Sequence, residues 1–202
     1  MFSSGFSPKE IKRSTGGTLV SGSGTESLLG ISTDSRTIRA GELYVPLRGK
    51  RYAGHAFIGE AFAKGAAGPR VEDWPLPFAV SGTVWKVSNT VTALMSLARL
   101  HRDRFGLDVV AITGSSGKTT TKTMLVHLIG HRRKVLFTPG TQNNLIGVPK
   151  TLLRLNRLHQ TAVLELGTNR WGEIRRLTRL SRPSIGVITN IGPAHLETFK
   201  NL

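Results

Sequence analysis

The chain has 202 residues, 39% of them apolar, with 23 glycines, 9 prolines and no cysteine; a chain of this size buries roughly 70% of its unfolded surface, so disorder, disulfide scaffolds and thiolate metal sites are excluded. Lys and Arg total 28 against 12 Asp and Glu, a net charge of +16 that draws polyanions and small anionic ligands alike. No run approaches the ~18 apolar residues of a membrane helix, and "MFSSGFSPKEIKRSTGG" lacks the apolar core of a secretory signal, which predicts a soluble, cytoplasmic protein.

Up to about Ser88 the chain is punctuated by Gly and Pro and carries three strand-like pieces, "ISTDSR", "ELYVPLRG" and "FAVSGTVWKVS", which predicts a small α/β domain over 1–88. "NTVTALMSLARLHRDRF" then shows apolar residues at helical spacing after Asn89, an N-cap residue, and ends near Gly106. It reads as a connecting helix that opens a second domain, 89–202. From Leu107 the pattern runs strand, Gly-rich turn, helix, strand, loop, helix, strand, as in a parallel sheet with crossover helices. The predicted strands are "LDVVAIT", "KVLFTP", "TAVLEL" and "SIGVITN", with helices at about 118–130, 148–156 and 172–180.

The stretch "AITGSSGKTTTK" (111–122) joins the first of those strands to the first helix. Glycine lets such a loop turn tightly around a phosphate, and the following helix offers unpaired N–H groups and the positive end of its dipole. Lys118 is then in reach of β- and γ-phosphate oxygens, and the Thr119 hydroxyl of a Mg²⁺ ion. Ile112 stands where the standard phosphate-loop pattern has its first glycine; the core Gly114-Ser115-Ser116-Gly117-Lys118-Thr119 is intact. The alternative is a glycine-rich turn with an exposed lysine.

Two further residues follow strands of the same sheet. Glu165 ends "TAVLEL", where a carboxylate needs a proton, a cation or a metal to be buried, and His195 follows "SIGVITNIGPA". Ligands of open parallel sheets bind beyond the carboxyl ends of the strands, so the loop, Glu165 and His195 are expected on one edge, around a Mg²⁺ ion. A protonated or hydrogen-bonded core carboxylate and a capping or surface histidine remain the alternatives. Asn143 and Asn144 in "TQNNLIGVP" suit either a phosphate or metal-bound water, or turn formation.

These motifs together resemble the Mur ligase family, the ATP-dependent enzymes that add amino acids or peptides to UDP-N-acetylmuramate in bacterial cell-wall synthesis. "ITGSSGKTTTK" matches the family's shortened phosphate loop, and "TPGTQNNLIGVPKTLLRL", "AVLELGTNRWGEI" and "TNIGPAHLETF" look like the three segments that follow it. "STDSRTIRAGELYVPLRG" and "GHAFIGEAFAKGA" are similar to an N-terminal uridine-nucleotide domain. Within the family, "NNLIGVP" and "ELGTNRWGEI" look most like the members that join D-alanyl-D-alanine to UDP-N-acetylmuramoyl-tripeptide; the alternative is the members that add the third amino acid. Ala53 and Leu145 stand where the family usually has acidic residues.

The resemblance implies an α/β fold with a small uridine-nucleotide domain followed by an incomplete phosphate-loop, parallel-sheet ATPase domain, and no third domain before Leu202. It implies ATP and Mg²⁺ as cofactors and UDP-N-acetylmuramoyl-peptide and D-alanyl-D-alanine as partners. Gly114, Ser115, Ser116, Gly117, Lys118, Thr119, Thr120, Asn143 and Asn144 would bind ATP; Thr119, Glu165 and His195 would hold metal; Ser35 and Arg36 would meet UDP. Lys118, Glu165 and His195 would carry the catalysis, with activation of the tripeptide carboxylate as an acyl phosphate that the D-Ala-D-Ala amine attacks. A chain ending at Leu202 is expected to lack turnover by itself and, with its sheet unfinished, to self-associate, whereas the complete enzyme would be a monomer.

Two rivals follow from the residues alone. One is a non-catalytic module binding ATP or a UDP-sugar. The other is a nucleic-acid-dependent ATPase, suggested by the charge; but the basic residues fall in surface-helix patterns such as "EIRRLTRLSR" and "HRRK", without the interleaved aromatics that stack bases.

Overall fold

The computed structural model describes residues 5–25, 28–49, 52–73, 75–76 and 82–193. The chain divides into two compact units, Met1–Leu97 and Ala98–Leu202. Among the described residues no helix is long and apolar enough to cross a membrane.

The first unit opens with α1 (Pro8–Thr15), started by a capping box in which Ser7 and Glu10 satisfy each other's backbone N–H, and stopped by Gly16 at φ 65°. Its short strands are β1 (Thr18–Ser21), β2 (Gly30–Ser32), β3 (Glu42–Tyr44), β4 (Arg48–Gly49), β5 (Tyr52–Ala53), β6 (Arg70–Val71) and β7 (Val84–Lys86), with α2 (Ile58–Ala63) between β5 and β6. They form a three-stranded sheet in the order β1-β7-β6 and two two-stranded pairs, β2-β3 and β4-β5. Ile38, Tyr44, Ile58, Ala61, Ala66, Val71 and Val84 make its core.

The strands are shorter than their sequence patterns suggest. "ISTDSR" stays extended only to Ser32, because the Asp34 carboxylate accepts a hydrogen bond from the Arg36 backbone N–H at 3.0 Å and bends the chain. "ELYVPLRG" is split into β3 and β4 around Pro46, which has no N–H to give to a ladder. Of "FAVSGTVWKVS" only Val84–Lys86 is strand, and residues 78–81 lie outside the described residues.

β6 carries an anomaly. Arg70 is fully buried, its guanidinium lies 4.6 Å from the Trp85 ring, and its three side-chain nitrogens find no acceptor among the described residues. Burial pushes it down to about 9, still above neutral pH, so a positive charge remains inside, and among the described residues the Trp85 ring face is what offsets it.

Helix α3 (Thr90–Arg102) belongs to both units. Asn89 caps it as expected, accepting from Thr92 N–H at 2.8 Å. Thr90 ties its start to Glu72, with 2.7 Å and 2.8 Å bonds from its N–H and hydroxyl. Arg102, within the second unit, donates to the Ser181 carbonyl at 3.0 Å. The division into units falls within this helix, after Leu97.

The second unit is a four-stranded, all-parallel sheet of β8 (Asp108–Thr113), β9 (Val135–Phe137), β10 (Thr161–Glu165) and β11 (Ile185–Ile188) in the order β11-β8-β10-β9. The intervening helices are α4 (Lys118–Gly130), α5 (Gly147–Leu152) and α6 (Glu173–Ser181). Val109–Ile112 and all of β10 are buried, which is why both read as unbroken apolar runs rather than alternating ones. Leu125, Val126 and Ile129 of α4 pack on Val110, Ile112 and Val163. Helix α5 stops at Leu152, short of the predicted 156, because the Arg154 and Leu155 N–H groups turn back to the carbonyls three residues earlier and tighten the chain.

The register sets the site. Ile112 stands opposite Glu165, and Thr113 opposite Ile188, so the segments that leave β8, β10 and β11 emerge together at one sheet edge.

Candidate nucleotide and metal site

Residues 114–117 form the turn between β8 and α4, and their conformation needs glycine at both ends. Gly117 has φ 76° and Gly114 φ 139°. A Cβ on Gly114 would lie 2.1 Å from Thr189 Oγ1 and 2.9 Å from the Asn190 carbonyl oxygen. The segment after β11 clasps the loop closely. Ser115 N–H donates to the Asn190 carbonyl (3.1 Å), Ser116 N–H to Asn190 Oδ1 (2.9 Å), Thr189 Oγ1 to the Ser116 carbonyl (2.6 Å) and Ser115 Oγ to the Gly192 carbonyl (2.7 Å).

The amides of Ser115 and Ser116 are thus engaged by Asn190, and the donors left for an anion are those at the start of α4, where no side chain caps the helix. Gly114→Ala is expected to cost about 1–3 kcal/mol, from strain and loss of the clasp. An unchanged denaturant midpoint would reject that account.

Lys118 folds back over the loop, donating to the carbonyls of Gly114 (2.6 Å) and Ser115 (3.2 Å). The Thr119 hydroxyl points the other way and donates to Glu165 Oε2 at 2.9 Å. Thr120 is exposed on the same first turn.

Glu165 is the centre of a buried network. It is 1% exposed; Asn143 Nδ2 donates to Oε1 at 2.8 Å and Lys122 Nζ to Oε2 at 3.1 Å. Its backbone N–H donates to Thr138 Oγ1 at 3.1 Å. Burial pushes the carboxyl up, but the hydrogen bonds from Asn143, Lys122 and Thr119, with the Lys122 charge, outweigh it and hold the group below its ordinary value. That direction favours the ionised carboxylate over the protonated form.

The two asparagines divide their work. Asn143 reaches Glu165, helped by Gly167, where a Cβ would lie 2.5 Å from the Asn143 side chain. Asn144 accepts from the Ile146 and Gly147 N–H groups at 3.0 and 2.9 Å and shapes the entry to α5, the turn role that sequence offers as its alternative. His195 lies outside the described residues.

Ser35 and Arg36 belong to the first unit. Ser35 is buried and donates to Glu60 Oε2 at 3.1 Å, while Lys64 Nζ braces its carbonyl at 2.9 Å. The exposed Arg36 guanidinium pairs with both oxygens of Asp34, at 2.9 and 2.7 Å.

The donor set at Thr119 and Glu165 fits a hard cation. With Mg–O bonds of ~2.1 Å at right angles, adjacent ligand oxygens stand about 3 Å apart, and Thr119 Oγ1 and Glu165 Oε2 stand 2.9 Å apart. Among the described residues no group of three or more His, Cys, Asp or Glu side chains is assembled for a metal.

Lys122, Thr138 and Asn190 are parts of this site that sequence reading passes over. Lys122 was detectable in principle, three residues after Thr119 and so on the same helix face. For Asn190 the only signal was its position just past a strand of the same sheet.

The Mur ligase middle domain matches residues 112–202, and the Mur ligase family catalytic domain matches residues 28–73. The chain is 40% identical over 169 residues to the UDP-N-acetylmuramoyl-tripeptide--D-alanyl-D-alanine ligase of Bacillus subtilis, covering 83% of this chain and 37% of that protein. The crystal structure of MurF from Acinetobacter baumannii superposes with a TM-score of 0.87 at 34% identity, over 99% of this chain and 44% of that one. MurF ligase from Thermotoga maritima in complex with ADP superposes with a TM-score of 0.76 at 36% identity, over 83% and 38%. The chain therefore spans well under half the length of these relatives.

Proposed function

Because the chain belongs to the Mur ligase family, we propose that it supplies the ATP site and the uridine-substrate unit of a cytoplasmic ligase that joins D-alanyl-D-alanine to UDP-N-acetylmuramoyl-tripeptide in peptidoglycan precursor synthesis. The observation that carries this reading is the buried Glu165 side chain bonded to the hydroxyl of Thr119, directly after the loop lysine. The ADP complex of the Thermotoga relative supports a nucleotide at the loop.

Lys118 leaves the Gly114 and Ser115 carbonyls for the β- and γ-phosphate oxygens, and the first amides of α4 meet the phosphates. Thr119 and Glu165 would hold Mg²⁺, and the family resemblance assigns His195 to a second ion. The metal supplies neutralisation of charge on the phosphoryl group in flight. An oxygen of the tripeptide carboxylate attacks the γ-phosphorus and ADP leaves; the D-Ala-D-Ala amine attacks the resulting acyl phosphate, phosphate leaves, and the amine proton passes to solvent. In the first unit the Ser35–Arg36 turn faces UDP, and the exposed Arg36 guanidinium is the group a diphosphate would draw from Asp34.

Calorimetry on this chain tests the site. ADP is expected to bind, to bind more tightly with Mg²⁺, and to lose about 10-fold or more in affinity in Lys118→Ala, which removes a charge-assisted bond. Indifference of ADP binding to Mg²⁺ would reject Thr119 and Glu165 as cation oxygens. Joined to the remainder of a ligase such as its relatives contain, the chain should release phosphate from ATP only when both UDP-N-acetylmuramoyl-tripeptide and D-alanyl-D-alanine are present. Release driven instead by the dipeptide substrate and a diamino acid would move the assignment to the preceding ligase, and binding without release would leave a binding module.

A further inference from the structure

Lys122 has no part in the phosphate chemistry above, yet it is buried at 4% exposure. An ammonium in that position is unfavourable unless its bonds are good ones. It makes two: to Glu165 Oε2 at 3.1 Å and to the Gly140 carbonyl at 2.5 Å.

Glu165 Oε2 is the oxygen that Thr119 also meets, while Oε1 is taken by Asn143. Residues 138–143 are therefore joined to Glu165 at three points: Thr138 to its backbone N–H, Asn143 to Oε1, and Gly140 to Oε2 through Lys122. Without the lysine, the one remaining partner of Oε2 among the described residues would be a rotatable hydroxyl, and the Gly140 carbonyl would lose the Lys122 donor.

We propose that Lys122 is a positioning residue for the divalent cation: it holds Glu165 Oε2 beside Thr119 Oγ1, and pins the 138–143 loop to the same oxygen, so that the cation's two protein ligands are set before it arrives. The inference rests on the reading of Thr119 and Glu165 as cation ligands. It also makes a prediction of sign. A lysine that was only a neighbouring positive charge would repel the cation, and removing it would tighten cation binding. A lysine that orients the ligand makes the site weaker when removed, as the loss of a partner behind a metal ligand does, by about 10–100-fold.

The test is the Mg²⁺ dependence of ADP affinity in the parent chain, Lys122→Met and Lys122→Gln, with thermal melting to verify folding. Expected is a Mg²⁺-dependent gain, read in each variant as the ratio of its ADP affinities with and without the metal, that is reduced about 10-fold or more in Lys122→Met. Gln, which can still donate one hydrogen bond, should recover part of that gain. An undiminished or larger Mg²⁺ gain in Lys122→Met overturns the proposal, as does failure of both variants to fold, which would make the lysine purely structural. Absence of any Mg²⁺ gain in the parent chain would instead sink the reading of Thr119 and Glu165 on which the proposal stands.

Discussion

Glu165→Gln is expected to lower the stability of the second unit by about 3–5 kcal/mol, the usual cost of removing one partner of a buried ion pair. The substitution keeps the shape and most hydrogen bonds of the side chain but removes its charge, leaving the Lys122 ammonium, 5% exposed, beside a neutral amide. The same change should abolish the Mg²⁺ effect on ADP binding, because a neutral amide oxygen is a poor substitute for a carboxylate on a hard cation.

The pH dependence follows in sign. The folded-state carboxyl lies below its ordinary value of 4.5, so its contribution to stability is complete above that pH and is lost as pH falls through the folded value. Denaturant midpoints for the parent chain should therefore drop on the acid side of about pH 4.5 more steeply than those of Glu165→Gln. Parallel acid limbs, or a variant as stable as the parent at neutral pH, would mean that the pair contributes nothing.

Arg70→Met is expected to act in the opposite direction and stabilise the first unit by about 1–4 kcal/mol, the range seen when buried charged groups give way to well-packed apolar ones. Arg70 is enclosed completely, and the attraction of the Trp85 face is worth ~2 kcal/mol when desolvated. That is less than a buried guanidinium loses in hydration. Methionine has comparable reach, no donors, and a sulfur that packs well against an indole ring. The measurement is the urea midpoint of the first unit's unfolding transition. A fall in midpoint would show that the guanidinium has an acceptor in the folded protein.

How much of this was legible beforehand depended on whether one local rule governed each segment. The strands and helices of the second unit came through because β8 and β10 are buried on both faces and because glycine and helix-start chemistry punctuate the chain between them. Glu165 was legible for the converse reason, as a carboxylate ending an apolar strand. The first unit was less so: its strands are two to four residues long, too short for alternation to register, and a side-chain bond from Asp34 ended one of them early. Lys122 and Arg70 were missed because a basic residue in a helix or short strand reads as solvated surface, and only tertiary packing shows that it is not. The Asn143–Asn144 pair was ambiguous in principle. Asn144 takes the turn role, while Asn143 bonds the Glu165 carboxylate, a contact that neither reading of the sequence offered.

Strand β11 lies at the end of the sheet order, with no neighbour beyond it among the described residues, and Ile185 and Ile188 are 53% and 64% exposed. A row of open amides and carbonyls flanked by β-branched side chains is a template for an incoming strand. In isolation this chain should therefore be limited in concentration by sheet extension between copies, and its net charge of +16 would act as the brake. Added salt, by weakening that repulsion, should promote clustering rather than dissolve it.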